Sequence, residues 1–227
     1  EAPTFAAMIP MQVYNTLQVP EEKAILMEIN HLIIGGGAID DTLANELKDF
    51  PNQVWSTYGM TETLSHIALR KLNGTDASDW YTPFDNVRIR LSEEGTLIIH
   101  APNVCAEELI TNDIAEINEK GKFRILGRKD NTINSGGVKI QIEQVESHLK
   151  KHLDTPFLIS ARKDAKFGEI VVLIYNKVEN EDDIRRVCES ELPTYWVPKA
   201  YIAVDELPMT GTGKPDRASA RRIANGE

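Results

Sequence analysis

Apolar and polar positions along the chain repeat with two different periods, and the changes of period mark its elements. Across residues 4–17, Phe5, Met8, Ile9, Val13 and Leu17 fall on one helical stripe. Thr4 stands where an N-cap would, and Pro10 is expected to kink or break that helix. After Pro20 a second short helix is expected over 21–27. Residues 31–34 form an apolar run of strand length that ends in Gly35-Gly36-Gly37. A short amphipathic helix over 40–47 and a strand over 54–58 follow. Strand, glycine-rich loop, helix and strand make a βαβ crossover, which implies a parallel sheet with ligands at the carboxyl ends of its strands.

Further on, residues 65–69 read as another strand and 72–83 as a polar loop. Residues 86–91 and 96–100 flank Ser92-Glu93-Glu94-Gly95, and 114–118 and 122–126 flank Glu119-Lys120-Gly121. These two hairpin signals imply a small antiparallel sheet or distorted barrel. Past Gly127-Arg128-Lys129-Asp130 the layout changes to Ser135-Gly136-Gly137, a helix over 142–149, strands over 157–161 and 170–175, a helix over 182–191 and a strand over 200–204. Helices alternating with strands there imply a small α+β domain with a three-strand core. The fold class is therefore α/β and α+β, with residues 1–129 and 130–227 as the two domains and the boundary at Asp130.

Composition narrows the class. Hydrophobic residues are 41% and charged residues 26%, as in globular proteins. No apolar run approaches the roughly 20 residues that span a bilayer, and no basic stretch precedes an apolar one at the start. The formal charge of −10 argues against a nucleic-acid surface, yet leaves room for an anionic substrate held by a few local cations. Cys105 and Cys188 have neither disulfide-framework nor zinc spacing, which fits a reducing cytoplasm. The chain opens on Glu1 and enters its first helical pattern at once, so it reads as the later part of something longer.

Three stretches carry candidate chemistry. Tyr58-Gly59-Met60-Thr61-Glu62-Thr63 packs glycine, hydroxyls and a carboxylate at a strand end, the donor set of a magnesium–phosphate site. A polar strand-to-loop turn has the same composition, and three glycines at 35–37 also suit a tight turn. In Thr111-Asn112-Asp113 an aspartate at the start of a strand could accept hydrogen bonds from two vicinal hydroxyls, or cap its own turn. The loop from Leu207 to Arg217 sets Lys214 among glycines and threonines, as a cationic tip or as an ordinary surface lysine.

Taken in order, Gly35-Gly36-Gly37, Tyr58-Gly59-Met60-Thr61-Glu62, Thr111-Asn112-Asp113, Gly127-Arg128-Lys129-Asp130, Ser135-Gly136-Gly137 and Thr210-Gly211-Thr212-Gly213-Lys214 resemble the acyl-adenylate-forming superfamily. That family includes acyl-CoA synthetases, peptide-synthetase adenylation domains and firefly luciferase. The run from Tyr58 through Arg70 looks most like its o-succinylbenzoate–CoA ligase branch of menaquinone synthesis. The resemblance implies the later part of a large nucleotide- and acid-binding domain, a parallel sheet plus a small barrel-like section, followed by a small mobile C-terminal domain. It implies ATP, Mg²⁺ and CoA acting on a small carboxylic acid, in the cytoplasm, with no nucleic acid, no membrane span and possible homo-oligomers.

By resemblance, Tyr58 stacks on adenine and Gly59 also binds the nucleotide, with the Gly35–Gly37 backbone beside the base and against the acyl group. Gly36 and Ser65 border the acid. Thr61 touches the α-phosphate, Glu62 holds Mg²⁺, Asp113 takes the ribose hydroxyls with Arg128 nearby, and Lys214 reaches the substrate carboxylate. Asp130 is the hinge, and Ser135-Gly136-Gly137 lines the pantetheine passage. The chain departs from the family at Asn112, where glycine is usual; at Ile142, for a proline; and at Gln144, for a glutamate. The family's upstream Ser/Thr/Gly-rich phosphate loop has no counterpart here, so the chain alone is expected to be inactive. The alternatives are an adenylation domain loading a carrier protein and a non-catalytic nucleotide-binding fragment. No carrier domain follows Arg217, which mildly favours CoA.

Overall fold

The computed structural model describes residues 4–39, 41–211 and 213–227; Asp40, expected to open a helix, and Thr212 lie outside them. Two compact units emerge, Glu1–Ile125 and Leu126–Glu227. The expected boundary residue, Asp130, falls just inside the second.

The first unit begins with strand β1 (Phe5–Met8), not a helix, and α1 (Pro10–Leu17) starts only at the proline. The helical stripe was misleading because Pro10 lacks an N–H and disfavours helix in the residue before it. Ile9 is accordingly extended, at φ −92° and ψ 157°, and it rather than Thr4 is the N-cap residue. Helix α2 (Pro20–Glu28), strand β2 (His31–Ile34), helix α3 (Asp41–Leu47) and strand β3 (Gln53–Gly59) follow much as the pattern predicts. Strands β1, β2 and β3 run parallel. Strands β4 (His66–Lys71) and β5 (Thr82–Pro83) continue the sheet antiparallel. Leu32, Ile34 and Val54 are fully buried against Val13, Leu26 and Leu47 of the helices. Between them, His31 is exposed and Ile33 and Trp55 are half-buried.

Both hairpin signals hold. Strands β6 (Arg88–Leu91), β7 (Thr96–His100), β8 (Leu109–Ile117) and β9 (Phe123–Arg128) form one sheet in that order. Leu97, Ile99, Ala115 and Phe123 pack with Ile67 and Ala68 of β4. Fully burying a side chain such as Phe123 contributes about 1.5–3 kcal/mol.

Among the described residues the second unit has five strands rather than three: β10 (Thr132–Ser135), β11 (Val138–Gln141), β12 (Phe157–Asp164), β13 (Gly168–Asn176) and β14 (Ala200–Val204). The missed pair is a two-residue hairpin, Ser135 opposite Val138, with Gly136 and Gly137 at φ 58° and 86°. Positive φ at both positions is the turn that matches strand twist, and glycine adopts it without strain. The short strands bury little beyond Ile133 and Ile140, so their period is faint. Central β13 alternates between two cores. Val171, Leu173 and Tyr175 pack with α4 (Ile142–Leu149) and α5 (Glu181–Glu191). Ile170, Val172 and Ile174 pack with Ala220 and Ala224 of α6 (Arg217–Asn225), a helix the pattern did not yield. Its signals are local: Asp216 accepts from the Ser219 N–H as N-cap, and Gly226 at φ 80° ends it.

Candidate active site

Parallel strands leave their carboxyl ends facing one way, and β1, β2 and β3 end together around a cleft of about 230 Å³. Met8, Ile9, Gln12, Ile33, Gly35 and Thr57 line it. Of these only Gly35 was expected. Thr57 stands one residue before the expected Tyr58, on the face that strand alternation opens to the cleft, and that alternation was the available signal. A Cβ on Gly35 would lie 2.3 Å from the Thr57 hydroxyl, so glycine keeps this wall thin. Gly36 has φ 76° and turns the chain away from β2.

At the end of β3 a bulge separates Tyr58 from Gly59. A side chain on Gly59 would strike the Ser65 carbonyl at 2.4 Å and the His66 Cα at 2.6 Å, so the backbone doubles back closely here. Thr61, Glu62 and Thr63 form a single 3₁₀ turn. Thr63 is fully buried, and its hydroxyl meets Ser65 O at 2.7 Å and Met60 N at 3.0 Å. Leu64 takes φ 59° while Ser65 N donates to Thr63 O at 2.6 Å, a tight γ-turn that is strained for a non-glycine residue. Buried Thr63 and the turn present Thr61, Glu62 and Ser65 to solvent. Ser65 Oγ lies 3.2 Å from His66 Nδ1.

The structure also brings together two expected residues far apart in sequence. Tyr58 donates its hydroxyl to Asp113 Oδ2 at 2.6 Å. Asp113 sits inside β8, not at a strand start as expected, because the strand begins at Leu109. Its N–H donates to Thr111 Oγ1 at 3.1 Å, and that hydroxyl donates to the Leu97 carbonyl at 2.8 Å. The Tyr58 ring meets Phe123 edge-on at 5.0 Å, Phe123 stacks on Tyr81 at 5.5 Å, and Tyr81 shares a hydrogen bond of 2.8 Å with Ser56. Tyr81 and Phe123, unremarked in the sequence, therefore fix the Tyr58 ring.

Among the described residues no group of three or more His, Cys, Asp or Glu side chains is arranged to hold a metal ion. Glu62 alone still suits Mg²⁺, which commonly binds through one or two carboxylates plus phosphate oxygens and water.

In the second unit Arg128, the last residue of β9, and Asp130, in the 3₁₀ turn that follows, approach to 3.5 Å, both exposed. Ser135-Gly136-Gly137 is the β10–β11 turn described above. Lys214 is exposed at the end of a narrow loop. Its N–H donates to Thr210 Oγ1 at 3.1 Å, its carbonyl accepts from Thr210 N at 2.7 Å, and Met209 bridges Pro215. Two residues on, the Ser219 backbone N–H, then its hydroxyl, hold the Asp216 carboxyl below the usual carboxylate range.

Residues 158–214, ending at this lysine, match the family model of the AMP-binding enzyme C-terminal domain. A 2-succinylbenzoate–CoA ligase from Bacillus thuringiensis is 25% identical over 252 residues, covering 97% of this chain and 52% of the ligase. The chain thus spans about half the length of the curated relatives it matches. Among solved structures, an acyl-CoA synthetase (AMP-forming)/AMP-acid ligase II-like protein from Dyadobacter fermentans is 31% identical, with a TM-score of 0.56 over 96% of this chain and 65% of that one. The o-succinylbenzoate CoA synthetase MenE of Bacillus subtilis, in complex with its acyl-adenylate intermediate, is 23% identical and superposes with a TM-score of 0.76 over 96% of this chain and 50% of that one. The second unit thus carries the match to the AMP-binding enzyme C-terminal domain, and the chain is similar over nearly its whole length to acid–CoA ligases that form acyl-adenylates.

Proposed function

We propose that the chain is the later part of an ATP-dependent acid–CoA ligase acting on o-succinylbenzoate in cytoplasmic menaquinone biosynthesis. The observation that carries the reading is the 2.6 Å hydrogen bond from Tyr58 to Asp113. It joins an aromatic ring to a carboxylate, the two groups needed to stack on a base and to accept from ribose hydroxyls. The names of the relatives support CoA as the acceptor.

In this reading the acid enters the cleft at Gly35 and Thr57, with Gly36 and Ser65 at its border. Its carboxylate is already ionised at neutral pH, so no general base is required. One carboxylate oxygen attacks the α-phosphorus, the bond to pyrophosphate breaks, and acyl-AMP forms. The obstacle is repulsion between anions, so catalysis rests on cations placed at the phosphates. Thr61 donates to the α-phosphate and Lys214 meets the carboxylate as a compact point charge. Glu62 would hold Mg²⁺, which supplies further charge neutralisation when bound. In the second step the CoA thiol gives up its proton to water, the thiolate attacks the acyl carbon, and AMP leaves with the electron pair. Asp130 serves as the hinge that withdraws Lys214 between steps, and Ser135-Gly136-Gly137 borders the pantetheine path.

Pyrophosphate exchange by the full-length enzyme, across aryl and fatty acids and followed by CoA addition, tests this. The largest exchange is expected with o-succinylbenzoate, and the 227-residue chain alone should show none near ligase rates. Exchange only with another acid would remove the substrate assignment. Transfer to a carrier protein but not to CoA would select the carrier-loading alternative. No exchange with any acid would sink the ligase reading.

A further inference from the structure

Helix α6 is tied to the rest of its unit by an ion pair between a half-buried guanidinium and a buried carboxylate. Arg217 donates through both terminal nitrogens to Glu146 of α4, at 2.7 and 2.6 Å, and once more to the Ile159 carbonyl of β12 at 3.2 Å. Glu146 is 7% exposed and also accepts from the Ile159 N–H at 2.8 Å. A planar fork held at three points fixes distance and rotation together, which one lysine contact would not.

The pair lies directly below the Lys214 loop. Arg217 is the first residue of α6, Asp216 is its N-cap, and Asp216 N donates to Pro208 O at 2.9 Å, closing the base of the loop. The loop is narrow, with Gly213 N donating to Thr210 O at 2.9 Å and Thr210 N to Lys214 O at 2.7 Å. Its base therefore stands where Arg217 puts it.

As a stabiliser such a pair is poorly chosen, since apolar replacements of buried ion pairs are often neutral or better for stability. We propose that Arg217, held by Glu146 and the Ile159 carbonyl, is a positioning residue that sets the reach of Lys214 during adenylation. This rests on the ligase reading above. Misplacing a reacting group by about 1 Å costs on the order of 10²-fold in rate.

The discriminating variant is Glu146→Gln with Arg217→Met in the full-length enzyme. It removes both charges and leaves an amide oxygen to accept from Ile159 N–H. A positioning role predicts a thermal midpoint near wild type, adenylation kcat down roughly 10²-fold, KM for ATP unchanged, and thioester formation from supplied acyl-AMP nearly spared. Should this variant fail to fold, Arg217→Lys keeps the charge and should lose adenylation about tenfold at near-normal stability. In the 227-residue chain itself, amide exchange at Gly213 and Lys214 should quicken in these variants. A folded variant with wild-type adenylation, or with unchanged exchange at the loop, overturns the proposal. If Lys214→Ala leaves adenylation intact, the ligase reading fails instead, and loop exchange still judges Arg217 on its own.

Discussion

The two units of this chain handle charge and hydrophobic surface differently. Unit one holds 19 acidic against 9 basic residues, and unit two 16 against 16, so the whole formal charge of −10 belongs to the first. In unit two the central strand is buried on both sides, with α4 and α5 on one face and α6 on the other. In unit one the helices cover one face of the parallel strands, and Ile33 and Trp55 remain half-buried on the other. Parallel sheets are ordinarily covered on both faces. The uncovered ends are where the cleft lies, with the strained turn at Leu64 at the end of β3. The second unit covers its central strand on both faces and presents the narrow Lys214 loop; the first is open where its chemistry is expected.

The sharpest way to test that division of labour is to remove the lysine the second unit is proposed to lend to adenylation. In the full-length enzyme Lys214→Ala should lower adenylation by about 10²–10³, roughly 3–4 kcal/mol, and nearly spare thioester formation from supplied acyl-AMP. Being exposed, the lysine should leave stability unchanged within about 0.5 kcal/mol. Wild-type pyrophosphate exchange in this variant would take the residue out of the site.

Packing provides the next contrast. Leu173→Ala, fully buried in unit two, should cost roughly 3 kcal/mol, and Ile33→Ala on the open face of unit one about 1 kcal/mol. Urea unfolding followed through Trp196 for the second unit, and Trp55 and Trp80 for the first, reads the two separately. Equal losses would mean the open face is as tightly packed as the covered one.

Within unit one, Gly59→Ala should destabilise by about 2 kcal/mol, because the new methyl meets backbone atoms that cannot yield. Gly35→Ala should cost less than about 1 kcal/mol, since the atom it meets is the Thr57 hydroxyl, which can rotate. Gly35→Ala should instead narrow the cleft and raise KM for the acid. The reverse order of stabilities would show that the β3–β4 turn has more slack than its geometry implies.

The smallest effect expected is on pH. Three carboxyls of unit two are held below the usual range: Asp164 by the Phe167 and Lys166 N–H groups, Glu181 by the Arg185 and Tyr175 hydrogen bonds, and Asp216 by Ser219. In unit one, among the described residues, only Glu108 is so held, by Arg90. A depressed carboxyl contributes stability above its unfolded pKa and loses it as pH falls through the folded value. The Trp196 unfolding midpoint should therefore hold from neutrality to about pH 5 and drop as pH falls below about 4, and Asp216→Asn should shrink the drop. A midpoint flat with acid would discount these contacts.

Local chemistry was legible in the chain itself. The strand over His31–Ile34, the two hairpins after it and the helices over Ile142–Leu149 and Glu181–Glu191 follow from period and turn residues, which act over a few positions. Pro10 announced a break, but whether strand or helix preceded it depended on pairing with β2, a partner about 26 residues away. The ordered motifs marked Tyr58 and Asp113 separately, while their hydrogen bond required two sheets to fold against each other. Tyr81, Phe123 and Thr57 carry no local sign of their place, because an aromatic core residue and a cleft wall look alike until neighbours are known. Arg217 is the extreme case: in sequence it is one arginine after a lysine loop, and only the burial of Glu146 beneath it, set by the packing of α4 against β12, makes it an anchor.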